Sequence, residues 1–268
     1  MPYLIGAILL ALVSYSCKAP SSEQQAESVV EQVLEIDTIV ATLDTIPLKY
    51  LLGQFDPSQD TLFRRIDPRF SQGSATRQMI HQETHDAFEQ MWKAAKAEGI
   101  SLQIVSATRP FIYQKSIWEG KWKGQRLVGG QNLAKTVPDP AERASLILRY
   151  SSMPGTSRHH WGTDIDINNF ENSYFEKGQG LKEYQWLQAH AAEYGFCQVY
   201  SAKGEDRPYG YEEEKWHWSY RPLADLYLAS YLATVTPEMI TGFAGSEVVR
   251  ELDVIERYVN GISPACKP

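Results

Sequence analysis

Apolar positions from Thr76 to Ala97 recur at helical spacing, with Ile80, Thr84, Phe88, Met91, Trp92 and Ala95 on one stripe and Gly99 beyond its end. The pattern predicts a helix over 76–97. Ile100 to Ala107 alternates instead and reads as a buried strand. Two further helices are expected over 113–124 and 141–150, separated by Gly129-Gly130 and by Val137-Pro138-Asp139-Pro140. Beyond them, 163–168 reads as a short strand, 182–194 as a helix and 215–219 as another short strand, with helices over 223–233 and 247–259 closing the chain. Residues 32–75 are interrupted by Pro47, Pro57 and Pro68 and read as an irregular wrap. Short strands scattered among helices, with no glycine fingerprint and no regular βα alternation, imply an α+β fold.

The N-terminus has a pattern of its own. Leu4 to Val13 is an apolar run of about ten residues, the size of a secretory h-region and short of the ~20 a membrane-crossing helix needs. It ends in Ser14-Tyr15-Ser16-Cys17, which resembles the lipobox of bacterial lipoproteins. Residues 1–17 are therefore expected to be a signal peptide, possible lipid on Cys17 being the one link to a membrane, and the protein to be exported to the periplasm or cell envelope. The Ser/Gln/Glu-rich stretch that follows reads as a tether over 18–45. A main domain is expected over 46–236 and a C-terminal helical extension over 237–268.

Composition narrows the options. Lys plus Arg number 26 against 33 Asp plus Glu, a net charge of −7 that leaves no basic field for nucleic acid. The 43% hydrophobic content excludes disorder, and 7 Trp with 15 Tyr suit a groove for peptides or sugars. Three cysteines, Cys17, Cys197 and Cys266, do not make a disulfide framework. With lipid on Cys17, the other two form a candidate pair in an oxidising compartment; the alternative is a buried Cys197 thiol.

Histidine pairs invite a metal reading twice. His81 and His85 share a helix face at i and i+4, but Glu83, two positions after the first, points away at about 100° per residue. This pair is expected to be helix surface. The second candidate combines Ser157-Arg158-His159-His160-Trp161-Gly162-Thr163-Asp164-Ile165-Asp166 with Glu214-Lys215-Trp216-His217-Trp218. In a strand Asp164 and Asp166 share one face while Ile165 takes the other, so one carboxylate can bind a metal and its neighbour support it. Glu214 lies at odd spacing from His217 and must come from a turn before the strand.

Ser157-x-His159-x-x-Gly162 with Asp166, then Glu214-x-Trp216-His217, resembles the signature of VanY-type zinc D-alanyl-D-alanine carboxypeptidases, whose fold is related to the Hedgehog domain. Ser106-Ala107-Thr108-Arg109, with Gln114 beyond, is similar to that family's Ser-x-Tyr-Arg segment. The resemblance covers about residues 75–225. It implies a small antiparallel sheet flanked by helices and one zinc per chain held by His159, Asp166 and His217. It further implies Glu214 as general base and later acid, Arg109 near the scissile carbonyl, and Ser157, Gln114 and Asp164 toward the substrate. Asp164 stands where the family usually has alanine. The implied activity is removal of a C-terminal D-alanine from a peptidoglycan stem peptide by metal-activated water. A non-catalytic envelope-binding module of the same fold and a cell-wall endopeptidase are the alternatives.

Overall fold

The computed structural model describes residues 46–268; the expected signal peptide at 1–17, lipid on Cys17 and tether at 18–45 lie outside the described residues. A one-turn helix, α1 (Leu48–Leu51), leads to β1 (Phe63–Arg65), which pairs antiparallel with β2 (Met79–His81). Because 79–81 are claimed by that pairing, the helix expected from 76 starts later, as α2 (Gln82–Ala97). His81 makes the change of structure: it closes β2, and its Nδ1 accepts the Glu83 N–H at 3.4 Å at the helix start. Thr84, His85, Phe88, Met91, Trp92 and Ala95 form the buried face of α2, and Gly99, at φ 77°, follows its last turn.

Next come β3 (Ile104–Ser106), α3 (Phe111–Trp122), the one-turn α4 (Leu133–Thr136) and α5 (Pro140–Ile147). Pro140 opens the first turn of α5, and the Asp139 carboxylate accepts the Glu142 N–H. The chain continues through β4 (Asp164–Ile167), α6 (Gly178–His190), β5 (Phe196–Gln198), β6 (His217–Tyr220) and α7 (Arg221–Thr234). Strands β3-β4-β6-β5 lie in that order as one antiparallel sheet. The fold is thus α+β with a small antiparallel sheet. Three-residue β5 escapes sequence reading because it is too short to show alternation.

Two cores flank this sheet. Ile104, Ile165, Ile167, Phe196 and Trp218 pack with Phe88 and Met91 of α2 and Leu187 of α6. The other core joins Trp118, Trp161, Tyr227 and Tyr231 to the C-terminal Ile240, Phe243, Val249, Val259 and Ile262. Cys197 and Cys266 are disulfide-bonded, 5.6 Å apart at Cα, which ties the chain end to β5. The continuous helix expected over 247–259 is not formed. A short 3₁₀ turn at Ser246–Val248 is followed by turns, Asp253 at φ 48°, and a π-helical segment at Ile255–Val259. Val249, Val254 and Val259, all buried, recur every five residues, a spacing that suits the i→i+5 turn better than the 3.6-residue period.

Candidate metal centre

Strand register assembles the site. In the β4–β6 ladder Asp166 stands opposite His217 and Asp164 opposite Ser219, so these side chains share one face while Ile165 and Trp218 enter the core on the other. A slip of one residue would send both carboxylates into that core. His159 comes from the 3₁₀ turn Arg158–Trp161 just before β4. Gly162 permits the reversal: it has φ 75°, and a Cβ there would lie 2.4 Å from the Phe63 ring and 3.1 Å from the His81 nitrogen.

His159 has one ring nitrogen hydrogen-bonded to the protein, and His217 has both. His159 Nδ1 lies 2.9 Å from the Ala107 carbonyl, which makes it the donor and leaves Nε2 3.4 Å from Asp166 Oδ1. His217 Nε2 lies 2.8 Å from Asp164 Oδ2, and its Nδ1 is 3.6 Å from Asp166 Oδ1 and 3.1 Å from Glu214 Oε2. One nitrogen of each ring and an Asp166 oxygen thus lie within 4.8 Å of one another, all from residues at most 3% exposed. His159 Nε2 and Asp166 Oδ1 have no hydrogen-bond partner among the described residues. A buried acceptor pair left in this state is costly unless a cation completes it, and two imidazoles with one carboxylate are a zinc donor set with a fourth position for water. The residues therefore fit the metal.

Electrostatics support this. Burial and the Arg109 charge push His159 down to about 4, keeping its lone pair free. Burial alone would raise Asp166, but His159, His217 and Arg109 outweigh it and hold the carboxylate at about 2. Burial likewise opposes charge on His217, yet hydrogen bonds to Asp164 and Glu214 and the Asp166 charge raise it to about 9, so a metal must displace a proton there.

Glu214 sits on a turn ahead of β6: its N–H donates to the Tyr200 carbonyl at 2.9 Å, and Asn172 braces both neighbours. Desolvation raises its carboxyl above the ordinary value, with His217 partly opposing. Arg109 reaches Asp166 Oδ2 and Gln114 Oε1, each at 3.3 Å, while its Nε has no partner among the described residues. Arg109, Asp166 and Glu214 line a cleft of about 700 Å³ together with Ser106, Tyr113 and Trp216.

The residues expected to face substrate are placed unequally. Gln114 is fully buried, donating to the Ser152 carbonyl and accepting from Arg109, so it steadies the arginine. Ser157 Oγ is buried without a partner among the described residues and does not line the cleft, so its placement as a substrate contact is corrected. Asp164 faces away from the cleft: it is 0% exposed, and its oxygens are occupied by Arg158, Thr163, Ser219 and His217. Its placement as a substrate contact is corrected accordingly. Sequence reading also missed His160, which accepts the Gly155 N–H at 3.0 Å on Nε2 and bonds the Arg109 carbonyl through Nδ1, clamping the arginine's backbone. Only the His159-His160 adjacency hinted at this.

His81, the cap of α2, and His85 within it are buried and not on the helix surface as expected; His85 packs its ring 5.3 Å from Phe70, and the two do not meet around a cation. His85 does cluster with Asp86 and Glu89, whose carboxylates are already paired with Arg64, Arg69 and Lys93.

The sequence profile of VanY, D-alanyl-D-alanine carboxypeptidase, matches residues 77–223. A Bacillus subtilis protein named "Putative carboxypeptidase YodJ" is 29% identical over 209 residues, spanning 75% of this chain and 68% of its own. Among solved structures, a Zn(II) complex of the vancomycin-resistance D,D-pentapeptidase VanY covers 72% of this chain and 92% of its own at 20% identity and TM-score 0.45. The LdcB LD-carboxypeptidase covers 81% of this chain and 82% of its own at 23% identity and TM-score 0.46.

Proposed function

This chain belongs to the VanY family of D-alanyl-D-alanine carboxypeptidases, and on that premise we propose that it removes a C-terminal D-alanine from peptidoglycan stem peptides with one zinc ion per chain. The observation that carries the reading is the convergence of His159, Asp166 and His217 within 4.8 Å beside Glu214 and Arg109 at one cleft. Zinc held by those three residues would supply Lewis acidity toward the peptide carbonyl and lower the pKa of water.

The chain's own residues provide the rest. Glu214, desolvated and outside the ligand set, takes a proton from the attacking water and returns one to the departing amine. Its raised carboxyl pKa suits both transfers. Arg109, partly exposed at the cleft and steadied by Asp166 and Gln114, brings its positive charge to the oxygen on which negative charge develops. Burial of the cluster keeps competing water away from these groups and strengthens each interaction. This chemistry belongs outside the cytoplasmic membrane, where peptidoglycan is found, and no helix among the described residues is long and apolar enough to cross a membrane.

The test is mass spectrometry of a stem pentapeptide and a stem tetrapeptide incubated with zinc-loaded protein. Loss of one alanine from either, abolished by chelation and restored by zinc, is expected. Intact peptides with protein that carries one zinc per chain would sink the proposal and leave the binding-module reading.

A further inference from the structure

Behind His217 lies a buried polar cluster that the proposed reaction leaves unused. Asp164 Oδ2 is 2.8 Å from His217 Nε2 and 3.0 Å from Arg158 Nε, while Oδ1 accepts from Ser219 Oγ at 2.6 Å and from Thr163 Oγ1 at 2.8 Å. Arg158 also donates through Nη2 to Ser219 Oγ at 2.9 Å and lies over the Trp161 ring at 4.7 Å. Arg158, Thr163, Asp164 and Ser219 are at most 2% exposed, so none can meet substrate.

Stability is a poor reason for such a cluster, because desolvating two charges offsets most of what their attraction returns. Its geometry suggests another. The oxygen that pairs with Arg158 is the same one that faces His217, and two hydroxyls pin the other oxygen so that the carboxylate cannot rotate. His159 is steadied differently, by the neutral Ala107 carbonyl. A carboxylate behind an imidazole fixes its tautomer and also makes the opposite nitrogen a stronger donor.

We infer that Asp164 is a positioning residue for the metal: locked by Arg158, Thr163 and Ser219, it holds His217 with the proton on Nε2 and presents Nδ1 as the ligand. The inference rests on the ligand set proposed above.

It is tested by zinc affinity, measured on the full chain by competition with a chromophoric chelator, in wild type, Asp164→Ala and the double variant Arg158→Met/Asp164→Ala. The double variant removes both charges together and so leaves no unpaired buried charge, and cooperative thermal unfolding is required of it before its affinity is read. Both variants are expected to bind zinc about 10–100-fold more weakly than wild type. If Asp164 only neutralises Arg158, the double variant recovers to within about threefold of wild type, and the inference is overturned. A second measurement needs no variant: nitrogen-15 NMR of the zinc-loaded wild type should show His217 bound through Nδ1 with an exchange-protected Nε2–H. Coordination through Nε2 overturns the inference. Wild type that binds no zinc overturns the ligand set itself, which separates the two failures.

Discussion

At the scale of single residues, Glu214 separates catalysis from binding. It lies beside His217 but outside the donor set, so Glu214→Gln should retain about one zinc per chain while turnover falls by ~10²–10⁴-fold. Metal analysis beside peptide hydrolysis reads both, and wild-type turnover in the variant would remove Glu214 from the mechanism. His81 makes the opposite case. Burial pushes its imidazole below the ordinary value, so the folded state keeps it neutral where the unfolded chain takes up a proton. With more protons bound unfolded, this contribution is complete above about pH 6.5 and is lost as pH falls below it. His81→Asn keeps a cap acceptor without that titration. Its urea midpoint should therefore drop less than wild type between about pH 7 and about pH 5.5, with zinc content unchanged. A loss of zinc would reopen the helix histidines as ligands.

At the scale of elements, the turn between His159 and Asp166 and the tie at the chain end are the exposed points. Gly162→Ala puts a methyl where the Phe63 ring and the His81 backbone nitrogen already sit, in a left-handed conformation. It should lower the melting temperature and weaken zinc binding together, since the same turn sets the spacing of two proposed ligands. Zinc titration followed by thermal unfolding checks this; unchanged affinity would mean the turn relaxes without moving His159. The Cys197–Cys266 bond closes a separation of 69 residues, a constraint on the unfolded chain worth about 4 kcal/mol in the loop-entropy picture. Cys266→Ser should therefore lower unfolding stability without changing metal stoichiometry. Free thiols at both Cys197 and Cys266 in denatured, unreduced protein would show that the bond does not form.

At the scale of the whole molecule, the proposed metal would tie together segments that meet only through folding. The candidate ligands come from a 3₁₀ turn, from β4 and from β6, so the proposed site exists in the native state and not in the unfolded chain. Linkage then requires that chelation lower the melting temperature and that zinc restore it in a concentration-dependent way. Asp166→Ala should abolish that response, and a variant that still responds would place the metal elsewhere.

Much of this was legible in the sequence for local reasons. The helix stripe of α2, the shared face of Asp164 and Asp166, and the position of Glu214 ahead of β6 follow from periods of 3.6 and 2 and from turn position, which residues a few places apart determine by themselves. The resemblance then implied His159, Asp166 and His217 as a ligand set, three side chains that the fold brings within 4.8 Å of one another. Sequence could not place Asp164, because its period assigns a face and not a depth. Only the pairing of β4 with β6, which brought Ser219 opposite and Arg158 alongside, turned that carboxylate away from the cleft and toward His217. The start of α2 and the broken C-terminal helix were likewise decided by partners distant in sequence: β1, which captured 79–81, and the core shared with α3 and α7, which took valines at five-residue intervals. Local periodicity selects among conformations of similar energy, and burial against a distant partner outweighs those small differences and settles the choice.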